Sequence, residues 1–114
     1  MNFNDIVDTL GARVINKSSM YDSCDVRSVI VSDLMSDVLT MERPSPLLVS
    51  SLSSDQTLRT ASMIDAAGVV IAQNKLLPEG IAALARELDI TLLHTSFAKF
   101  ETCVFLGKLL EQDP

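Results

Sequence analysis

Side chains able to hold a small anion follow three short apolar runs, which are Leu47–Val49, Val69–Ile71 and Thr91–Leu93. Hydroxyl groups and the N–H groups that begin a helix can bind phosphate, and a lysine adds a charge-assisted hydrogen bond. If the runs are parallel strands, their carboxyl ends meet at one edge, where the ligands of such sheets bind. The residues predicted to contact a ligand are Ser51, Ser53, Ser54, Asp55, Asn74, Lys75, His94 and Thr95. Ordinary helix caps and solvated turns are the alternative interpretation of the same residues.

Catalysis has little support in the sequence. His94 is the only histidine, and the serines near it lack the pattern of a nucleophile elbow. The 4 glycines are isolated from one another, so neither of the glycine motifs that cradle phosphates is present. We therefore predict no catalytic residue. An enzyme that uses His94 as an acid or base is a further alternative, and it requires Asp33 or Asp55 to lie close to His94.

Few residues could ligate a metal. Asp33 and Asp37 are four apart on a predicted helix and could share a hard cation, although a solvated acidic face explains them as well. The 2 cysteines, Cys24 and Cys103, lie far apart in sequence, which favours reduced thiols, with Cys103 in the core. The sequence predicts neither a metal site nor a cofactor.

The charge balance bears on the class of partner. The formal net charge is -6, and the 9 Lys and Arg residues are scattered, whereas nucleic acids and anionic membranes attract basic patches. We predict neither partner. No apolar run approaches the roughly 18 residues of a membrane span, and the first residues lack the basic region of a secretory signal, so we expect a cytoplasmic protein. A chain of 114 residues predicts one domain over residues 1–114.

The three apolar runs are evenly spaced, and a polar turn and a helical pattern follow each of them. Continuous apolar runs indicate strands covered on both faces, and intervening helices imply parallel pairing. The pattern therefore predicts an α/β fold with a mainly parallel sheet. Further expected elements are a helix over 3–10, strands over 12–15 and 26–31, and helices over 32–39, from Ser53 to about Ala66, from Pro78 onward and after Ser96.

The last predicted helix is apolar on two sides. Phe100, Cys103, Val104 and Gly107 lie along one stripe, and a second apolar set lies largely off it. Either the core surrounds this helix, or its second face contacts another subunit. The residues predicted for such an interface are Phe105, Leu106 and Leu109.

Five segments between Ile6 and Leu110 together form a recognisable pattern, and they are Val31–Leu39, Leu47–Leu52, Arg59–Ala61, Gly68–Ala72 and Phe100–Cys103. Together they resemble small stand-alone DRTGG-type proteins, which are similar to the N-terminal domain of HPr kinase/phosphorylase, and the likeness runs from Ile6 to Leu110. It implies a three-layer α/β/α fold that serves as a regulatory or assembly module and often forms dimers. In relatives such a module accompanies kinase, CBS or pyrophosphatase domains. The small versions imply a protein partner in a bacterial regulatory or hydrogenase-linked system.

The sequence departs from the pattern that names this family. Ser51–Ser53 stand where the Asp-Arg pair is expected, and Ala72–Asn74 stand in place of Thr-Gly-Gly. Ligand contacts of those family residues are therefore not carried over. From the residues and the resemblance we predict a non-catalytic regulatory or assembly module that acts through homo-oligomerisation, most simply as a dimer, and through protein contacts. The alternative is a sensor that binds a nucleotide or phosphate at the strand ends.

Overall fold

A computed structural model describes residues 1–73 and 76–112, which form five helices and five strands. The helices are α1 (Phe3–Leu10), α2 (Met35–Val38), α3 (Asp55–Met63), α4 (Ile81–Glu87) and α5 (Lys99–Gln112). The strands are β1 (Arg13–Asn16), β2 (Val29–Val31), β3 (Leu47–Ser50), β4 (Gly68–Ile71) and β5 (Thr91–His94). Among these residues no helix is both long enough and apolar enough to cross a membrane.

The five strands form one sheet in the order β1-β5-β4-β3-β2. Strands β2 to β5 pair in parallel, and only β1 is antiparallel, against β5. Helices α2, α3 and α4 cover one face of the sheet, and α1 and α5 cover the other. The prediction of a three-layer α/β/α fold with a mainly parallel sheet is confirmed.

Each continuous apolar run supplies both cores because successive strand side chains point to opposite faces. Leu47 and Val49 pack towards α1 and α5, whereas Leu48 between them packs towards α2, α3 and α4. All three are fully buried. The strands can therefore be read from their hydrophobicity, although they show no alternation of apolar and polar residues.

Helix α1 follows its sequence pattern closely. Asn2 caps it, since its side-chain oxygen accepts from the backbone N–H of Asp5 at 2.8 Å, and Gly11 ends it in the left-handed conformation at φ 55°. Phe3 lies on the buried face and packs directly on Gly68 of β4. The absence of a side chain at Gly68 is what leaves room for that ring.

Two helix starts differ from the prediction. Helix α2 begins at Met35 rather than Ser32, because the Ser32 hydroxyl accepts from the N–H of Leu34 in a local turn. Asp33 therefore precedes the helix, and the expected shared face of Asp33 and Asp37 is not formed. Helix α3 begins at Asp55 with Ser54 as its N-cap, so the predicted capping box that starts at Ser53 is also wrong.

The last two helices also begin later than predicted. Gly80, at φ 86°, is the N-cap of α4, so that Pro78 lies before this helix rather than in its first turn. Helix α5 begins at Lys99, three residues beyond Ser96. Among the strands, β2 starts at Val29, whereas the sequence predicted a start at Val26.

The predicted interface on α5 needs correction at one residue. Leu106 is 1% exposed and packs in the core of its own chain, so it is not available to a partner. Phe105 and Leu109 are half-buried against the same core. The apolar residues that α5 leaves exposed are Phe100 and Val104, at 76% and 38% exposure.

Both cysteines are free thiols. Cys24 and Cys103 are half-buried, so Cys103 lies on α5 near the surface rather than in the core as predicted. Burial raises the pKa of both thiols. The described residues contain no group of three or more His, Cys, Asp or Glu side chains that could hold a metal ion.

Candidate functional site

Asp33 organises the carboxyl edge of the sheet. It follows β2, and its Oδ1 accepts from the Ser50 hydroxyl at 2.9 Å and from the backbone N–H of Ser51 at 2.7 Å. Its Oδ2 accepts from the Ser51 hydroxyl at 2.6 Å and from Lys99 Nζ at 2.5 Å. The carboxylate thus joins the ends of β2 and β3 to the first residue of α5.

This environment favours the ionised form of Asp33. Partial burial raises the pKa of the carboxyl, but the hydrogen bonds from Lys99, Ser51 and Ser50 outweigh it and hold the pKa well below its ordinary value. Both Asp33 oxygens are engaged by these donors. The negative charge is therefore neutralised locally, and the β3–α3 loop is fixed before any ligand arrives.

The β3–α3 loop leads directly into the N-terminus of α3. The Ser50 hydroxyl also accepts from the N–H of Leu52 at 3.1 Å, and the Thr57 hydroxyl donates to the Leu52 carbonyl at 2.6 Å. Ser54 is the N-cap, yet its side chain makes no capping bond, and its buried hydroxyl oxygen has no partner among the described residues. The first N–H groups of α3 consequently lack a side-chain cap and can donate hydrogen bonds to an anionic ligand.

His94 lies at the same edge of the sheet, at the end of β5. Its Nε2 lies 3.1 Å from the Gln73 carbonyl, and its Nδ1 lies 3.5 Å from Arg13 Nη2. These contacts fit an imidazole that donates through Nε2 and accepts through Nδ1. Arg13 is directly opposite His94 in the antiparallel β1–β5 pair, which places a guanidinium beside the imidazole.

Gln73 is held in an uncommon backbone conformation. Its φ is 72°, and its N–H donates to the Phe97 carbonyl at 2.6 Å while its own carbonyl faces His94. A left-handed glutamine costs free energy and persists only where its surroundings fix it. The β4–α4 turn and the β5–α5 turn are therefore tied together next to the candidate site.

The predicted ligand contacts separate into four groups. Ser53, Ser54 and Asp55 gather at the start of α3, and His94 lies two strands away on the same edge. Ser51 and Thr95 are at most 6% exposed, and their hydroxyls bind Asp33 and the Leu10 carbonyl, which removes them from the candidate contacts. Asn74 and Lys75 lie outside the described residues.

Sequence reasoning missed Arg13, Lys99 and the role of Asp33. Arg13 reaches His94 only because β1 is antiparallel, and nothing in the local sequence indicates that pairing. Lys99 carries a weak signal, since a cation in the first turn opposes the helix dipole and suggests an acidic partner elsewhere. The predicted helical start at Ser32 concealed the position of Asp33.

An enzyme that used His94 as an acid or base would need a carboxylate beside it, and the described residues place none in hydrogen-bond contact with His94. In the described part of the chain its partners are the Gln73 carbonyl and Arg13, and neither Asp33 nor Asp55 bonds to it. The cavity beside Asp25 and the cavity beside Asp65 both lie away from the carboxyl edge. The loops after the strands and the start of α3 form the surface that a ligand at the carboxyl edge would meet.

The fold is a three-layer α/β/α domain, and ligands of such parallel sheets bind at the edge that carries Asp33 and His94. No family model matches the sequence, and no curated protein matches it. Among solved structures the chain is similar to the CBS and DRTGG domains of the regulatory region of a Clostridium perfringens pyrophosphatase, complexed with its activator diadenosine tetraphosphate. The TM-score is 0.74 and the identity 14%, over 92% of this chain and 45% of that one. The chain thus spans less than half of the neighbour, and the likeness supports a DRTGG-like fold.

Proposed function

We propose that this chain is a regulatory module that binds a ligand carrying phosphate groups, such as a nucleotide, at the carboxyl ends of its parallel strands. The observation that carries the proposal is the uncapped start of α3, which is held beside a carboxylate already neutralised by Lys99. A phosphate at the first N–H groups of α3 would meet the positive end of the helix dipole.

The position of the Arg13 guanidinium favours a ligand with more than one phosphate. Arg13 on β1 lies beside His94 at the end of β5, whereas α3 follows β3, and β4 lies between β5 and β3. Because neighbouring strands lie about 4.8 Å apart, the two places are separated by roughly 10 Å. A polyphosphate chain or a nucleotide can span that distance, and a single phosphate cannot. The activator bound to the structural neighbour, diadenosine tetraphosphate, is of this chemical class.

Calorimetry and thermal unfolding with a ligand panel test this proposal. We expect diadenosine tetraphosphate or ATP to raise the Tm and inorganic phosphate to act only weakly; at 100 times Kd the stabilisation amounts to about 2.7 kcal/mol. Replacing Arg13 by Gln should weaken binding about tenfold, because a charge-assisted bond is lost. Arg59→Gln, on an exposed position of α3, is the matched control and should bind like the wild type. A panel without any shift at millimolar ligand would contradict the proposal.

A second candidate function, assembly into a homodimer, rests on a different observation. Phe100 is 76% exposed and Val104 is 38% exposed on the outer side of α5, where a monomer gains nothing from either side chain. A second copy that covered them would remove apolar area from water. A protein partner from a regulatory or hydrogenase-linked system could cover the same side chains.

The oligomeric state of the purified protein distinguishes a homodimer from a complex with a different protein. In light scattering at high micromolar concentration we expect a dimer for the wild type and a monomer for Phe100→Asp, since a charge at the contact opposes burial. Met63→Asp is the control, because Met63 is 71% exposed on α3, which covers the other face of the sheet. A wild type that stays monomeric, or a Met63→Asp variant that dissociates equally, would overturn the α5 dimer.

A further inference from the structure

One of the two ring nitrogens of His94 is committed to a contact within the protein. Its Nε2 lies 3.1 Å from the Gln73 carbonyl oxygen, which can only accept, so Nε2 carries a hydrogen whatever the charge of the ring. Gln73 is itself fixed, at φ 72° and by the 2.6 Å hydrogen bond from its N–H to the Phe97 carbonyl. Nδ1 is therefore the nitrogen at which His94 gains or loses a proton.

This second nitrogen faces a cation. Arg13 is opposite His94 in the β1–β5 pair, and its Nη2 lies 3.5 Å from Nδ1. A guanidinium donates and never accepts, so Nδ1 meets it with a lone pair, which is the arrangement of a neutral ring. A proton on Nδ1 would replace this attraction by the repulsion of two cations, unless an anion lay between them.

Arg13 is the one charged side chain that hydrogen bonds with His94 among the described residues. Strand β4 contributes no titratable side chain. The charged residues of the other neighbouring segments are Glu79 before α4, Arg86 and Glu87 at the end of α4, and Lys99 at the start of α5; Lys75 lies outside the described residues. Lys99 is paired with Asp33, and the last turn of α4 lies at the opposite, amino edge of the sheet. The charge of His94 therefore depends on Arg13 and on what binds beside it.

We infer that phosphate binding at Arg13 is coupled to the uptake of one proton from solvent by His94 Nδ1. This inference rests on the proposed phosphate site. A phosphate oxygen that contacts Arg13 beside a neutral His94 faces the lone pair of Nδ1, which repels it. With a proton on Nδ1 the ring becomes a second charge-assisted donor to the same phosphate, and the anion separates the two cations.

The coupling gives ligand binding a pH dependence of one sign. The ligand favours the protonated ring, so the contribution of His94 to binding is complete in acid and is lost as the pH rises through the titration midpoint of the complex. Polyphosphate therefore binds more tightly at pH 6 than at pH 8.

The imidazole NMR signals of the wild type test this coupling, because His94 is the only histidine. Diadenosine tetraphosphate is the probe, since it has no terminal phosphate, which would itself titrate near pH 6. At constant ionic strength we expect a saturating amount to raise the titration midpoint of His94 by about one pH unit, which corresponds to about tenfold tighter binding to the protonated form. Adenosine, which carries no phosphate, should leave the midpoint unchanged.

Two variants examine the Arg13 contact without any ligand. In Arg13→Gln the titration midpoint of His94 should rise by about half a pH unit, because the repulsion of the protonated ring by the guanidinium is removed. Arg86→Gln, in the last turn of α4, is the matched control and should keep the wild-type midpoint.

Failure of this inference can be told from failure of the phosphate site. If diadenosine tetraphosphate raises the Tm but leaves the His94 midpoint unchanged, the proton coupling is wrong and the phosphate site is retained. If neither the Tm nor the midpoint changes, both proposals are overturned. An equal rise of the midpoint with adenosine, or nitrogen shifts that place the hydrogen of the neutral ring on Nδ1, would also overturn the coupling.

Discussion

Replacing Gly68 by alanine should destabilise the protein, whereas the same change at Gly107 should stabilise it. A Cβ at Gly68 would lie 2.9 Å from Phe3 Cζ and 3.0 Å from the Thr91 carbonyl oxygen. Phe3 is 1% exposed and stacks on Tyr21 with ring centroids 5.2 Å apart, so its ring has no free space to enter. The carbonyl belongs to β5, which pairs with β4 in this register. Overpacking of this kind costs about 1–3 kcal/mol of unfolding free energy.

Gly107 provides the opposite case on α5. An added Cβ would meet nothing within 4 Å, and the residue lies within a 14-residue helix. Alanine at such a position gains about 0.5–1 kcal/mol because glycine loses more conformational entropy on folding. Urea unfolding of the two variants against the wild type measures both values. Equal effects of the same sign would show that the packing of Phe3 on β4 is wrong.

Replacing Asp33 by alanine should cost about 2 kcal/mol of unfolding free energy, because the buried N–H and hydroxyl groups that it accepts from lose their partner. Ser50 is fully buried and Ser51 is 6% exposed, so water replaces the lost bonds poorly. The Lys99 ion pair adds little, since both side chains are about one-third exposed and solvent screens them. The matched control Asp37→Ala removes an exposed acid from the same segment and should change stability by about 0.5 kcal/mol or less.

The Asp33 contribution should depend on pH in one direction. The folded-state pKa of Asp33 lies below its unfolded value. Asp33 therefore contributes its full stabilisation at pH values above the ordinary pKa of an aspartate, which is about 4. It is lost as the pH falls through the folded-state pKa. The difference in stability between the wild type and Asp33→Ala should therefore be constant at neutral pH and shrink in acid. A difference that grew on acidification would contradict the hydrogen-bond geometry.

The sequence predicted those elements of the fold whose signals are carried by residues close together in the chain. Leu47–Val49 and the two later runs are recognisable because strands covered on both faces must be apolar throughout. The start of α1 is local too, since Asn2 and Gly11 act on their own neighbours. The predicted starts of α2 and α3 were wrong because the hydroxyls of Ser32 and Thr57 form hydrogen bonds within their own loops. These local bonds compete with the predicted helix caps.

The sequence predicted only those site residues whose position follows from their neighbours along the chain. Ser53 to Asp55 could be placed at a strand end from sequence, as could His94. The contacts that shape the site join distant segments, as Asp33 does with Lys99 and Arg13 with His94. Such pairs depend on strand order and on the antiparallel placement of β1, which no local pattern encodes. The same limit explains why Leu106 was assigned to an interface, since only the packing of α5 on α1 shows which stripe faces the core.

A nitrogen–proton NMR titration with diadenosine tetraphosphate tests the central claim most directly, because it reports both binding and its place. We predict saturable shifts in the backbone signals of Ser53, Asp55 and Gln56 at the start of α3, and in those of Arg13 and His94 at the end of β5. Signals at the amino edge, such as those of Asp65 and Asp89, should not move. Shifts confined to that amino edge, or no shifts at millimolar ligand, would contradict a phosphate-binding site at the carboxyl ends of the strands.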